Sequence, residues 1–152
     1  MKRVRHFLIP LAFYAFTFRP VVPINIEVED HRKTILVVDV DSVLAEVITM
    51  LLDDANLNVV AATESSEGLR LAHELSPALV LCDWSMPRLA GSEVLQLLRA
   101  DPATAHVPFV LMSGFPPPDF DTLPADGFLA KPFDAQELRS VVRTFAAAGA
   151  AA

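Results

Sequence analysis

Asp83 closes an unbroken apolar run, Ala78-Leu79-Val80-Leu81-Cys82, and is followed by Trp84-Ser85-Met86-Pro87 and then Gly91. A second apolar run, Ile35-Leu36-Val37-Val38, ends in Asp39, with Asp41 two residues on. A third, Gly127-Phe128-Leu129-Ala130, ends in Lys131-Pro132. Open α/β sheets carry their chemistry beyond the carboxyl ends of the strands. Acids at two such ends and a lysine at a third therefore point to one site. A carboxylate is a covalent nucleophile in phosphate chemistry, grouped carboxylates suit a hard divalent cation, and a lysine supplies fixed positive charge. The combination points to phosphoryl transfer onto a carboxylate. One acid at a strand end usually does no more than cap a turn, and one lysine there is ordinary surface charge; the three ends together carry the reading.

The elements that must position these groups follow from the hydrophobic period. Thr34–Asp39 reads as a buried strand. Ser42–Asp54 has helical spacing, with Val43, Leu44, Val47, Ile48, Leu51 and Leu52 as a single apolar stripe, and Asp41 or Ser42 caps its start. Leu57–Ala62 is a second strand. Ser65–Leu75 is a second helix, with Leu69, Ala72 and Leu75 inward and Pro77 beyond its end. Ala78–Asp83 is the third strand, Ser92–Arg99 a third helix with Val94, Leu95 and Leu98 inward, and Val107–Met112 the fourth strand. Gly114-Phe115-Pro116-Pro117-Pro118 then excludes a helix interior, leaving only Asp119–Leu123 for any helix before the short fifth strand, Gly127–Ala130. Asp134-Ala135-Gln136-Glu137 is a capping box that opens a final helix, with Leu138, Val141, Val142 and Phe145 toward the core. Continuously apolar strands alternating with helices predict a parallel sheet covered on both faces, wound by right-handed crossovers.

Composition bounds the remainder. The 152 residues suit one domain with a proper core. A net charge of −7 and a pI near 4.9 argue against a general nucleic-acid binder. The single cysteine, Cys82, excludes an internal disulfide framework and reads as a small buried hydrophobe. His6, His31, His73 and His106 show no ligand spacing. Residues 1–32 read as an extension: Lys2, Arg3 and Arg5 precede an apolar stretch, Phe7–Phe18, which Pro10 interrupts and Arg19-Pro20 ends. The layout is signal-like, falls short of the roughly 20 residues of a spanning helix, and lacks a small-x-small cleavage site. An anchor, an uncleaved signal and a misplaced translation start compete. The last, or a loosely attached tail, is preferred because residues 33–147 read as a complete domain; residues 148–152 read as a frayed end. Contact with a membrane is expected only if residues 1–20 are native, and the expected location is cytoplasmic.

From Lys33 to Ala147 the chain resembles the receiver domain of bacterial response regulators. Four motifs carry the resemblance: Ile35-Leu36-Val37-Val38-Asp39 with Asp41; Asp83 with Met86-Pro87 and Gly91; Ser113 after the fourth strand; and Lys131-Pro132-Phe133. The resemblance implies a flavodoxin-like α/β fold with strand order 2-1-3-4-5, here with its fourth helix shortened or absent. It implies Asp83 as phosphoacceptor, taking a phosphoryl group from the phosphohistidine of a histidine kinase or histidine phosphotransfer protein. It implies Mg²⁺ held by Asp39, Asp83 and the backbone carbonyl of Ser85, with Lys131 beside the phosphoryl oxygens. Ser113 matches the hydroxyl that reaches the phosphoryl group, and Phe128 the aromatic that changes rotamer between states. Plain readings stand beside these: Ser113-Gly114 is ordinary turn chemistry, and Phe128 is ordinary packing. Trp84 either gates the acceptor or packs on its loop.

Two departures from the family pattern bear on function. The family has two adjacent acids after the first strand, whereas Asp39 is followed here by Val40. Mg²⁺ uses only one or two protein carboxylates, so the loss is expected to weaken its site, while relieving repulsion among the acids. Either Asp41 substitutes, because alternate residues of a strand share a face, or the domain is a degenerate receiver that docks a partner without phosphorylation. The second departure is Gly114–Pro124, where a full helix is usual; this resembles receivers of hybrid sensor kinases more than those of transcription factors. The expected protein is a stand-alone receiver, a signalling domain and not an enzyme, since the chain ends about twenty residues after Lys131. A small haloacid-type enzyme is disfavoured because Ser85 stands where it needs a second acid.

Overall fold

A computed structural model describes residues 32–53 and 56–148. The expectations for residues 1–31 and for the last four residues lie outside that range. Five strands, β1 (Lys33–Val38), β2 (Leu57–Ala62), β3 (Leu79–Asp83), β4 (Phe109–Ser113) and β5 (Gly127–Ala130), form one parallel sheet in the order β2-β1-β3-β4-β5. Four helices, α1 (Ser42–Leu51), α2 (Ser65–Leu75), α3 (Gly91–Ala100) and α4 (Ala135–Ala148), alternate with them. The expected flavodoxin-like, doubly wound α/β sheet is present. Between β4 and β5 stands one 3₁₀ turn, Phe120–Thr122, where the helix was expected to be shortened or absent.

Strand alternation divides the core in two. Ile35, Val37, Leu79, Leu81, Val110, Met112 and Leu129 face α1 and α4, joined by Ala45, Ile48, Leu138 and Val142. Leu36, Val38, Val80, Cys82, Phe109 and Leu111 face α2 and α3, joined by Ala72, Val94, Leu95 and Leu98. At the amino end of β4 and β5, Arg99 from α3 donates to the carbonyls of Pro124, Ala105 and Val107 and to Asp126 Oδ2 at 2.8 Å. The same Asp126 oxygen accepts the amide of Phe109 at 2.7 Å. One guanidinium thus ties together the loops that enter both strands, beside the segment that lacks a full helix.

Two helix faces differ from the sequence reading. Val43 and Val47, read as part of the single apolar stripe of α1, are 65% and 37% exposed, and Met50 is 67% exposed. Ala45, Ile48 and Leu52 are buried, with Leu44 and Leu51 partly so. Helix α1 carries one charged residue, Glu46, in its ten; its apolar residues cover more arc than the sheet can bury, and the surplus faces outward. Leu75, expected inward on α2, is likewise 37% exposed, while Ser65 and Gly68 take buried positions. Gly68 is required: a Cβ there would stand 2.7 Å from a methyl of Val38. Element ends differ by one to three residues: α1 ends at Leu51, and β4 begins after Pro108.

Candidate functional site

β1 and β3 are neighbours, so their carboxyl ends bring Asp39 and Asp83 side by side. Ile35, Val37 and Asp39 alternate onto the α1/α4 side, as do Leu79, Leu81 and Asp83. β5 is two strands away from β3, and the loop after it returns Lys131 to the same side. The Lys131 amide donates to the Ser113 carbonyl at 2.8 Å, extending the β4–β5 ladder by one step. The Lys131–Pro132 peptide bond is cis. Lys131 Nζ lies 2.6 Å from Asp39 Oδ2 and 3.1 Å from Asp83 Oδ1.

The site is sunk but open. Asp39 is 1% and Asp83 7% exposed, whereas a quarter of the Lys131 side chain reaches solvent. Burial pulls the Lys131 ammonium toward a lower pKa, but hydrogen bonds and charge attraction from both carboxylates outweigh it, so its pKa stands above the ordinary lysine value. Cys82, one residue before Asp83, lies on the opposite face of the sheet. Burial pushes its thiol well above the usual range, with Asp83 and Asp39 adding to the shift. That is the behaviour of a packing residue and not of a nucleophile.

Val40 occupies the rim with 52% exposure and a side chain that has no oxygen to offer. Asp41 has a different employment. Its Oδ1 accepts the amides of Val43 and Leu44 at 2.9 and 3.2 Å, the N-cap of α1, and its own amide donates to Asp39 Oδ1 at 2.9 Å. β1 ends at Val38, so the alternation that was to turn Asp41 toward Asp39 does not extend that far. Among the described residues no three acid, histidine or cysteine side chains group about a metal position. Asp39 and Asp83 bring two carboxylates to one place, and exposed Ser85 follows Asp83 by two residues in the loop; carboxylate and main-chain carbonyl oxygens are the chemistry that suits Mg²⁺.

Ser113 and Phe128 belong to the other side of the sheet. Phe109 and Leu111 face α2 and α3, and alternation gives Ser113 that side. Phe128 packs against the same cluster, its ring edge-on to Phe120 of the 3₁₀ turn with centroids 5.5 Å apart. Leu111 pairs with Phe128 and Ser113 with Ala130, so Ser113 and Phe128 stand two residues apart in register, on the side of the sheet opposite the acids and lysine. Trp84 packs on this side too, with its amide donated to the Met112 carbonyl at 2.8 Å.

Gly91 owes its type to Asp83. A Cβ on Gly91 would stand 2.4 Å from the Asp83 carbonyl oxygen, so the start of α3 lies directly on the main chain of Asp83. The sequence marked Gly91 by spacing alone. Ser65, whose hydroxyl reaches the loop after Asp83, gave no such signal: a serine at a helix start is expected to cap its own helix.

Comparison with known proteins places the fold and the family. The chain is 32% identical over 114 residues to the DNA-binding dual master transcriptional regulator RpaA of Synechocystis, covering 72% of this chain and 47% of the relative. It is 35% identical over 120 residues to the DNA-binding response regulator MtrA of Mycolicibacterium smegmatis, covering 74% and 50%. The chain thus spans about half the length of these relatives, and the DNA binding in their names belongs to the whole proteins. Among solved structures, a putative response regulator from Chloroflexus aurantiacus superposes with a TM-score of 0.70 at 28% identity, over 76% of this chain and 98% of that one. The receiver domain of a sensor histidine kinase from Pseudomonas aeruginosa, with a magnesium ion coordinated in its active-site cleft, superposes with a TM-score of 0.70 at 22% identity, over 76% and 98%. The family model for the response regulator receiver domain matches residues 35–143. That span takes in every strand end from which a site residue projects, and the chain belongs to the response regulator receiver family.

Proposed function

We propose that this domain accepts a phosphoryl group on Asp83 from the phosphohistidine of a partner kinase or phosphotransfer protein. The observation that carries the reading is Lys131, just after β5, lying within 3.1 Å of carboxylate oxygens at the carboxyl ends of β1 and β3. In the step, an Asp83 carboxylate oxygen forms the new O–P bond as the P–N bond to the donor imidazole breaks, and the bonding pair returns to that nitrogen. Such a transfer asks the protein for alignment and charge neutralisation and little acid–base work. Lys131 stays protonated at neutral pH because both acids favour its charged form, so its ammonium meets the incoming phosphoryl oxygens as a full positive charge. Mg²⁺, when bound, supplies further neutralisation of those oxygens; Asp39, Asp83 and the Ser85 carbonyl are the groups that would hold it. With Val40 in place of an acid and Asp41 spent on the α1 cap, its affinity is expected to be modest.

The donor seat is the outward face of α1. Val40, Val43, Val47 and Met50 follow helical spacing in a stripe that begins at the residue after Asp39. Beside it lies an apolar hollow of about 370 Å³ lined by Leu44, Val47, Leu51, Pro132 and Phe133, with Lys131 at its edge. A body that brings a histidine to Asp83 must lie across this surface. The partner is a protein and not nucleic acid, in keeping with the acidic chain. The response is read from Ser113 and Phe128, across the sheet.

A second reading, docking without phosphorylation, is favoured by one observation: Val40 adds apolar surface where an acid would add a metal ligand. Incubation with radiolabelled acetyl phosphate and Mg²⁺ separates the two. Label on the wild type and none on Asp83→Asn is the expected result. Equal labelling of both removes Asp83 from the role, and no label on either leaves docking as the function.

A further inference from the structure

Four polar residues are buried among the described ones: Asp39, Asp83, Thr104 and Ser65. The first two are the site, and Thr104 ends α3 by donating to the Leu98 carbonyl at 2.9 Å. Ser65 is 4% exposed, and its hydroxyl donates to the Leu89 carbonyl at 2.7 Å, 24 residues away. A serine at this position ordinarily serves its own helix. Here the N-cap is Glu64, whose side chain makes no capping bond. The hydroxyl is spent instead on the loop between β3 and α3, residues 84–90, which runs directly from Asp83 and contains Ser85.

That loop is held at both ends and strained between them. Trp84 donates to the Met112 carbonyl and Gly91 to the Trp84 carbonyl, so the ends close on each other. Met86 is buried among the residues that face α2 and α3. Arg88 sits in the left-handed region at φ 66°, a conformation that costs a non-glycine residue free energy. The Ser65–Leu89 bond adjoins the strained residue, and Arg88 also approaches Glu64 at 3.7 Å. Both ties run to the start of α2.

We propose that Ser65 is a positioning residue for the loop after Asp83: its bond to Leu89 fixes that loop against α2 and so sets where the Ser85 main chain stands beside the Asp83 carboxylate. The inference rests on reading Asp83 and Ser85 as parts of a phosphoryl and metal centre. It extends that centre to an element, α2, that contributes no group to it.

The experiment compares wild type, Ser65→Ala and Ser65→Thr in the metal-free full chain, then with Mg²⁺. Amide hydrogen exchange is followed in residues 84–91 and in the core strands β1 and β3. Trp84, the sole tryptophan, reports the loop through acrylamide quenching. In Ser65→Ala, loop protection should fall about tenfold, the scale of one lost buried hydrogen bond, while β1 and β3 keep theirs. Trp84 should quench more readily, and the Mg²⁺ midpoint should rise several-fold. Ser65→Thr, which keeps the hydroxyl, should restore all three. Unchanged loop protection and Mg²⁺ midpoint in Ser65→Ala would overturn the proposal. So would an equal loss of protection in loop and core, which marks a merely structural hydroxyl. Failure of the Asp83 reading shows elsewhere: the wild type then takes no label from acetyl phosphate, while exchange in the metal-free loop still decides the role of Ser65.

Discussion

At the scale of single residues, the site is defined by what its two carboxylates have to share. Asp39 and Asp83 face one ammonium, and Asp39 also accepts the Asp41 amide. A cation entering would share these two carboxylates with Lys131, which holds one oxygen of each. A third carboxylate at position 40 would tilt that sharing toward the cation. Val40 is 52% exposed, so an acid there keeps its hydration and costs the fold little. A full negative charge roughly 4 Å from a divalent cation contributes on the order of 2 kcal/mol even at the dielectric of water. Val40→Asp is therefore expected to tighten Mg²⁺ at least about tenfold, read by Trp84 fluorescence titration. An unaltered midpoint would mean that Asp41 leaves its cap to serve the metal. The acids and the lysine were legible in the sequence because each follows an unbroken apolar run, and a parallel strand has no other place for a charge. The employment of Asp41 was not. An acid two residues past a strand and just before a helix suits both a metal and a cap, and only the end of β1 at Val38 decides which the backbone favours.

At the scale of elements, α1 departs furthest from its reading. Periodicity finds an apolar stripe but cannot tell which side of it faces the sheet when nine residues of ten are uncharged. The structure buries Ala45 and Ile48 and leaves Val43, Val47 and Met50 outside. The proposed docking of a phosphohistidine protein on this exposed apolar face can be tested by placing charge on it. Val43→Lys combined with Met50→Lys replaces two exposed residues and should alter stability by no more than about 0.5 kcal/mol each. Transfer from a phosphohistidine protein should slow at least about tenfold, while labelling by acetyl phosphate, which needs no docking face, should change less than about twofold. Equal slowing with both donors, or with neither, would remove α1 as the seat. The break between β4 and β5 was legible for the opposite reason. Three successive prolines forbid a helix whatever the tertiary context. What replaces it was not readable: Arg99 and Asp126 are 27 residues apart in sequence, and no local pattern announces their pairing.

At the scale of the whole molecule, two cations close the sheet from opposite ends. Arg99 gathers the loops entering β4 and β5. Lys131 joins β5 to β1 across 92 residues and to β3 across 48. Such links form only when the whole sheet is assembled, so they belong to global stability and depend on the charge of the lysine. Burial works against that charge, but the two acids prevail and raise its pKa in the folded state. In the unfolded chain the value is near 10.4. The folded protein therefore holds its proton more tightly, and the stabilisation is complete below about pH 10 and is lost as pH rises through the folded value. With its ammonium partly solvated, the pair of bonds is expected to contribute roughly 1–2 kcal/mol at neutral pH. Urea unfolding of wild type and Lys131→Met in metal-free buffer tests this. The wild type should lead by a constant margin from pH 7 to about pH 9.5 and lose that lead steadily as the pH rises above about 10. Exposed lysines titrate alike in both proteins and cancel in the difference. A margin that persists unchanged to pH 11 would show that Lys131 stabilises the sheet by packing its alkyl chain and not by its charge, and the ammonium would then be no fixed counter-charge for Asp39 and Asp83.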